Sequence, residues 1–226
     1  MYCKYIDMTT LKIYSNPEKD NITRTENDEI NLRFSKPFKI LMIGKSGSGK
    51  SNLIKNIIAR NEGFDLVYLM HANPDSTEYD DIPHIKYEIE EDYIDRFMQY
   101  PEKDKLLIID DIDFNNMGKK MQNYMYKMIT YLSARGVSII STSQDPVYYP
   151  PIIRRAFEIL IIYPFYNEDS IRTLTRYIAP ILTDDELRIS FEKLMKTKYD
   201  FVIVNKTNDK AFICINNKIK LLKSVY

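Results

Sequence analysis

The sequence predicts an α/β fold: a mostly parallel central sheet flanked by helices, followed by a C-terminal β-hairpin. Three observations lead there. From Phe38 onward, apolar runs of strand length alternate with segments whose apolar residues recur at helical spacing. A glycine-rich loop joins the first such run to the first helical segment. A later run, Leu106-Leu107-Ile108-Ile109, is apolar throughout and ends in Asp110-Asp111. A strand buried on both faces reads that way, and ligands of open α/β sheets bind at strand carboxyl ends.

Taken in order, residues 1–36 are polar and lack a long periodic segment, and Ser15 to Asn31 is rich in Asn, Asp, Glu and Thr. They read as an N-terminal arm or extension, leaving 37–226 as one domain. Phe38 to Ile43 is the first strand. A helix follows from about Gly49 to Arg60, with Leu53, Ile54, Ile57 and Ile58 on one face. Phe64 to Met70 is the second strand, and residues 71–84, with Pro74 and Pro83, form a loop. Ile85 to Ile89 reads as a short strand, Asp92 to Tyr100 as a short helix, and Lys105 to Asp110 as the next central strand. Met121, Tyr124, Met125, Met128, Ile129 and Leu132 recur at helical spacing. That helix should end near Arg135, since Gly136 suits the left-handed residue that closes a helix. Val137 to Thr142 and Phe157 to Ile162 are strands. Asn167 to Ala179 and Asp184 to Lys196 are helices opened by Asn, Asp or Thr caps. Phe201 to Val204 and Ala211 to Ile215 form the hairpin, turning at Asn208-Asp209.

Composition narrows the class. The 226 residues carry 32 Lys+Arg and 32 Asp+Glu, so net charge favours no polyanionic partner, although one basic loop can still grip nucleic acid. Cys3 and Cys214 stand too far apart in sequence for a disulfide framework or a metal-ligand cluster. They read as free thiols in a reducing compartment. No apolar run is long enough to span a bilayer, and Met1-Tyr2-Cys3-Lys4-Tyr5 lacks the apolar core of a signal peptide. A soluble intracellular protein is expected.

Gly44-Lys45-Ser46-Gly47-Ser48-Gly49-Lys50-Ser51 fits G-x-x-x-x-G-K-[ST] between a strand and a helix. The glycines let the backbone curl so that successive N–H groups point at phosphate oxygens. The helix starting near Gly49 turns its positive end to the same anion. Lys50 then reaches the β- and γ-phosphates, and Ser51 supplies a hydroxyl to Mg²⁺. Lys45 and Ser46 occupy variable positions, where contact with nucleotide and simple solvent exposure are equally open.

Asp110 is placed to hold Mg²⁺, directly or through water, and Asp111 to polarise an attacking water. Asp113, with Asn115 after it, reads as a turn residue. The strand Phe64 to Met70 lies in sequence between the phosphate loop and Asp110. This order suits the P-loop division in which another strand is inserted between the two motif strands. Gln144, at the tip of Val137 to Gln144, can hydrogen-bond both a γ-phosphate and a lytic water, or can simply end a strand. Arg135, Arg154 and Arg155 are candidates for projection into a neighbouring subunit's site, against ordinary surface salt bridges. Lys119 and Lys120, in Asn115-Asn116-Met117-Gly118-Lys119-Lys120, are a solvated lysine pair at a helix start or, under the resemblance given next, the candidate DNA contacts.

Together these segments resemble a known group. Gly44 to Ser51, Leu106 to Asp111, Ser133-Ala134-Arg135-Gly136-Val137, Ser141-Thr142-Ser143-Gln144 and Tyr149-Pro150-Pro151-Ile152-Ile153-Arg154 are similar to the FtsK–HerA superfamily of DNA-pumping ATPases. Within it they most resemble the genome-packaging ATPases of large DNA viruses and virophages. The resemblance covers about residues 36 to 205. It implies a RecA-like core, a homo-oligomeric ring (hexamer or pentamer), ATP with Mg²⁺, and translocation of double-stranded DNA into a preformed capsid through a capsid or portal-vertex protein. The setting it implies is the infected host cell, in a virus factory or the cytoplasm, and the virion. It gives Asp110 the Mg²⁺, Asp111 the water, Gln144 the sensor role, and Arg135 or Arg154 that of the finger. One departure is that Asp111 stands where many relatives have Glu, one methylene longer.

Two other classes compete: a small kinase or GTPase, and a nucleotide-gated interaction protein. Asn205-Lys206-Thr207-Asn208 begins like the guanine-reading Asn-Lys-x-Asp but ends in Asn and falls in the hairpin turn. An arginine-rich kinase lid is not evident.

Overall fold

The computed structural model describes residues 32–61, 63–73, 75–86, 103–194, 199–216 and 218–225. The proposed arm up to residue 31, Cys3 and the helix read at Asp92 to Tyr100 lie outside them. So do residues 87–89 of the short strand and residues 195–196.

Among the described residues nine strands form one sheet: β1 (Lys39–Ile43), β2 (Leu66–His71), β3 (Ile85–Lys86), β4 (Lys105–Asp110), β5 (Val137–Ser143), β6 (Ile159–Ile162), β7 (Phe201–Asn205), β8 (Lys210–Ile215) and β9 (Lys218–Ser224). The helices are α1 (Lys50–Arg60), α2 (Lys119–Ser133), the short α3 (Pro151–Arg154), α4 (Glu168–Ile178) and α5 (Asp184–Leu194). Short 3₁₀ turns stand at Phe114–Asn116 and Pro146–Tyr148. Strand order is β3-β2-β4-β5-β1-β6-β7-β8-β9. The strands from β3 to β6 run parallel, and those from β6 to β9 alternate.

The alternating direction of side chains along each central strand supplies two cores. Leu41 and Ile43 of β1, with Leu107 and Ile109 of β4, pack in a cluster with Met125, Met128, Ile129 and Leu132 of α2 and with residues of α4 and α5. Ile40 and Met42, with Leu106 and Ile108, pack against Leu53, Ile54, Ile57 and Ile58 of α1. Both faces are covered, so Ile40 to Ile43 of β1 and Leu106 to Ile109 of β4 are apolar without a break. Local signals also act where expected. Gly136 takes φ 83° after α2. The Asn167 carboxamide oxygen accepts from the Asp169 and Ser170 amides at the start of α4. Thr183 and Glu186 bond reciprocally at the start of α5.

Two details of the sheet come only from its pairing. The strand inserted in space between the two motif strands is β5; β2, which lies between them in sequence, pairs on the far side of β4. The C-terminal hairpin forms as expected from β7 and β8. β7 pairs with β6 and continues the main sheet, and a third antiparallel strand, β9, forms its edge. The pattern of β9 hides it, because Leu221-Leu222 breaks the alternation where a bulge shifts the register opposite Ala211 and Phe212. Lys218, Lys220 and Lys223 suit that exposed edge.

Candidate nucleotide site

Parallel strands end together. The carboxyl ends of β1, β2, β4 and β5 therefore meet at one edge, and a cleft of about 420 Å³ opens there. It is lined from the phosphate loop and α1 by Ser46, Gly47, Gly49, Lys50, Ser51 and Asn52, and from the strand ends by His71, Asp110, Asp111 and Gln144. Ser76, Glu78 and Tyr199 complete the wall. The residues read as phosphate, metal, water and sensor groups thus converge.

Gly49 adopts φ 97° and starts α1 without a side-chain cap, so the first helical N–H groups are left to a ligand. Gly44 has no room for a side chain: a Cβ would lie 2.7 Å from Tyr163 Cβ and 2.8 Å from Ser48 Oγ. Lys50 is buried, and its Nζ donates to the carbonyls of Gly44 at 2.6 Å and Lys45 at 3.1 Å. Burial lowers the Lys50 pKa, and Asp111, Asp110 and Glu78 oppose that shift. Ser48 Oγ is buried without a hydrogen-bond partner among the described residues. A buried hydroxyl of that kind calls for an acceptor, which a phosphate oxygen supplies. Lys45 and Ser46 are exposed. Ser46 lines the cleft, while Lys45 Nζ lies 5.7 Å from the Tyr166 ring centroid.

Asp110 is held by three neighbours. Its Oδ1 accepts from Thr142 Oγ1, its Oδ2 accepts from Tyr79 Oη at 2.9 Å, and His71 Nε2 stands 3.4 Å from Oδ2. Burial pushes its pKa up, and the bonds from Thr142 and Tyr79 and the proximity of His71 pull it back. His71 Nδ1 accepts the Asn73 N–H at 2.8 Å, so the neutral ring carries its proton on Nε2, toward Asp110. His71, Glu78 and Asp110 place their ligand-type atoms within 4.8 Å of one another. The tautomer makes His71 a donor there and leaves metal binding to oxygens. Ser51, Asp110 and Glu78 offer the hard oxygen donors that suit Mg²⁺.

Asp111 follows β4 with φ 57°, uncommon for a non-glycine residue and frequent where function holds the backbone. Its N–H donates to Thr142 Oγ1 at 3.0 Å, so one hydroxyl ties both acids to β5. Gln144 Nε2 donates to Asp111 Oδ2 at 2.7 Å. Behind them, the buried Tyr149 hydroxyl bonds Ser141 Oγ and donates to the Thr142 carbonyl at 3.1 Å, while Ser141 Oγ donates to the Ile109 carbonyl. The Tyr149-Pro150 segment thereby braces the β4–β5 tips.

The remaining candidates lie elsewhere. Asp113 caps the turn after β4, accepting the Asn115 N–H at 2.9 Å. Lys119 and Lys120 are exposed at the start of α2, on the loop that leaves the same sheet edge. Arg135 precedes β5 and Arg154 precedes β6, so both stand at the opposite, amino edge. Arg135 lies over the Tyr131 ring, its guanidinium carbon 3.4 Å from the centroid. Arg154 is only 9% exposed, and its Nε and Nη1 have no hydrogen-bond partner among the described residues. Arg155 is exposed. Asn205 pairs with Ile159 at the start of β6, which places Asn205 to Asn208 at the amino edge too.

Sequence reasoning passed over His71, Glu78, Tyr79 and the anchoring role of Thr142. The first three lie in what read as a connecting loop. Parallel pairing of β2 with β4 sets His71 beside Asp110, and that register was the missing signal.

No family model matches the sequence, and no curated protein matches it significantly. Among solved structures, the genome packaging NTPase B204 from Sulfolobus turreted icosahedral virus 2, in complex with ATP-gammaS, aligns with 84% of this chain and 99% of its own. The TM-score is 0.56 and the identity 16%. B204, the DNA-packaging ATPase from Sulfolobus turreted icosahedral virus, covers 85% of this chain and 100% of its own, at TM-score 0.58 and 15% identity. The cytoplasmic domain of the Thermomonospora curvata type VII secretion ATPase EccC covers 86% of this chain and 26% of its own, at 0.56 and 11%. At these identities the likeness establishes a shared fold alone, the α/β fold expected from the sequence.

Proposed function

We propose that this chain is an ATP-hydrolysing DNA translocase that packages viral double-stranded DNA into a preformed capsid. The observation that carries the reading is the bonded pair Asp111–Gln144 at the mouth where the phosphate loop, Lys50 and Asp110 converge.

In this reading Lys50 leaves the Gly44 and Lys45 carbonyls for the β- and γ-phosphates. Ser51 and Asp110 hold Mg²⁺, which when bound offsets charge on the phosphate oxygens. Asp110 has both oxygens engaged by side-chain donors, an arrangement that favours contact with the ion through water. Asp111 takes the proton of the attacking water as general base. Its unusual backbone and its bond to Gln144 fix the direction of a carboxylate one methylene shorter than Glu. Gln144, freed from Asp111 by a γ-phosphate and water, reports which nucleotide is bound.

The DNA part is supported by the folds that bear packaging names and by Lys119 and Lys120. Cations at a helix N-terminus oppose the helix dipole, so Lys119 and Lys120 gain nothing from the dipole of α2. Exposed at the nucleotide edge, they suit contact with phosphates lining the pore of a ring. Arg135, exposed and away from its own cleft, reaches a nucleotide only across a subunit boundary, as a hexamer or pentamer provides; Arg154 is buried and would first have to leave its place beneath the surface. Partners in this reading are double-stranded DNA and a capsid or portal-vertex protein, within the infected cell and the virion. Among the described residues no helix is long and apolar enough to cross a membrane. The position of Asn205 to Asn208 speaks against a GTPase.

The test is ATP hydrolysis with and without linear duplex DNA, with Lys50→Ala as the blank. Several-fold stimulation, lost in the Lys119→Ala/Lys120→Ala double variant, is expected. Hydrolysis indifferent to DNA would leave an ATPase without a motor.

A further inference from the structure

We infer that Tyr199 is the base-stacking residue of the cleft, taking the face of the nucleobase. This rests on the nucleotide reading above and names the subsite for the end of the nucleotide remote from the chemistry.

Ser51, Asp110, Asp111 and Gln144 define the end where the terminal phosphate and cation belong. The base, separated from that end by the ribose and the inner phosphates, belongs at the far mouth. Tyr199 is carried there by topology. β7 runs antiparallel to β6, with Val202 paired to Ile162, so the residues just before β7 return to the carboxyl edge beside the phosphate loop. The ring covers Gly49 closely. A Cβ there would meet Tyr199 Cδ1 at 3.0 Å, Cε1 at 3.6 Å and Cγ at 3.9 Å. Despite that contact the residue is 44% exposed, and among the described residues it is the one phenyl-type ring lining the cleft. A rigid aromatic surface beside a phosphate cradle is what a nucleobase face takes up.

Of the cleft lining from the phosphate loop and α1, Ser46, Gly47 and Asn52 are exposed. Exposed groups read base edges weakly, because water satisfies them when the base does not fit. A stack is indifferent to the edge pattern, so the geometry points to adenine and guanine nucleotides binding with similar affinity.

The experiment is calorimetric titration of the full chain with ATP, GTP and inorganic tripolyphosphate, each with Mg²⁺, for wild type, Tyr199→Phe and Tyr199→Ala. Stacking on one base predicts that Tyr199→Ala weakens ATP roughly tenfold or more. Tyr199→Phe should keep wild-type affinity, and tripolyphosphate, which has no base, should bind all three chains alike. Equal weakening of ATP and tripolyphosphate in Tyr199→Ala would show a ring that only supports the loop and would overturn the inference. So would unchanged ATP affinity. Wild type binding neither ligand would instead bring down the phosphate-loop reading itself.

Discussion

The parallel and antiparallel halves of the sheet are comparably buried in their inner strands, yet the residues that line the cleft come almost wholly from one. β1, β2, β4 and β5 end at a common edge and deliver the phosphate loop, His71, Asp110, Asp111 and Gln144 to one cleft. β7, β8 and β9 reverse direction at each step and, among the described residues, bring only Tyr199, just before β7, to the cleft. Parallel strands stack their carboxyl ends; antiparallel strands divide theirs between two edges. The antiparallel half is therefore expected to support stability and the parallel half turnover.

The largest expected effect lies in the parallel half. Asp111→Asn keeps the size of the side chain and removes the base, and kcat should fall by about 10²–10⁴ with little change in ATP affinity. Steady-state kinetics with a parallel binding titration checks this; a near-normal kcat would move the base elsewhere. The next lies in β7. Ile203→Ala empties a site that is 1% exposed and should cost about 2–5 kcal/mol in denaturant unfolding, with the KM of the folded fraction unchanged. A changed KM would break the division between the halves. The smallest lies at the edge strand. Lys223 of β9 holds Glu186 of α5 through contacts of 2.7 and 2.8 Å, and this bond, with the Thr183 amide, keeps the Glu186 carboxyl below its ordinary pKa. Lys223→Ala should cost less than about 1 kcal/mol, since both groups are partly exposed. A depressed carboxylate stabilises the fold above its unfolded pKa. The cost should therefore be present at neutral pH and vanish as pH falls through the lowered Glu186 value. Melts across that range read it directly.

The phosphate loop was legible because its chemistry is local: eight consecutive residues between a strand and a helix carry it. Asp110 and Asp111 were legible because burial on both faces makes β4 an apolar run that stops at its acids. Gln144 was legible as a strand end, but its bond to Asp111 depends on β4 and β5 lying side by side. His71, Tyr79 and Thr142 were not legible as the holders of Asp110, since 39, 31 and 32 residues respectively separate them from it in the chain. The strand β9 was hidden by its bulge and by the lysines of an exposed edge.

By itself, the sequence determined the α/β alternation, the phosphate cradle, the two acids and the helix caps, because each follows from contacts within one turn or one strand. The tertiary structure decided which strand stands between the two motif strands, how Asp110 is anchored, which edge each arginine occupies and that Tyr199 meets Gly49. Those are matters of strand order and direction, and many pairings of the same strands bury the same apolar residues equally well.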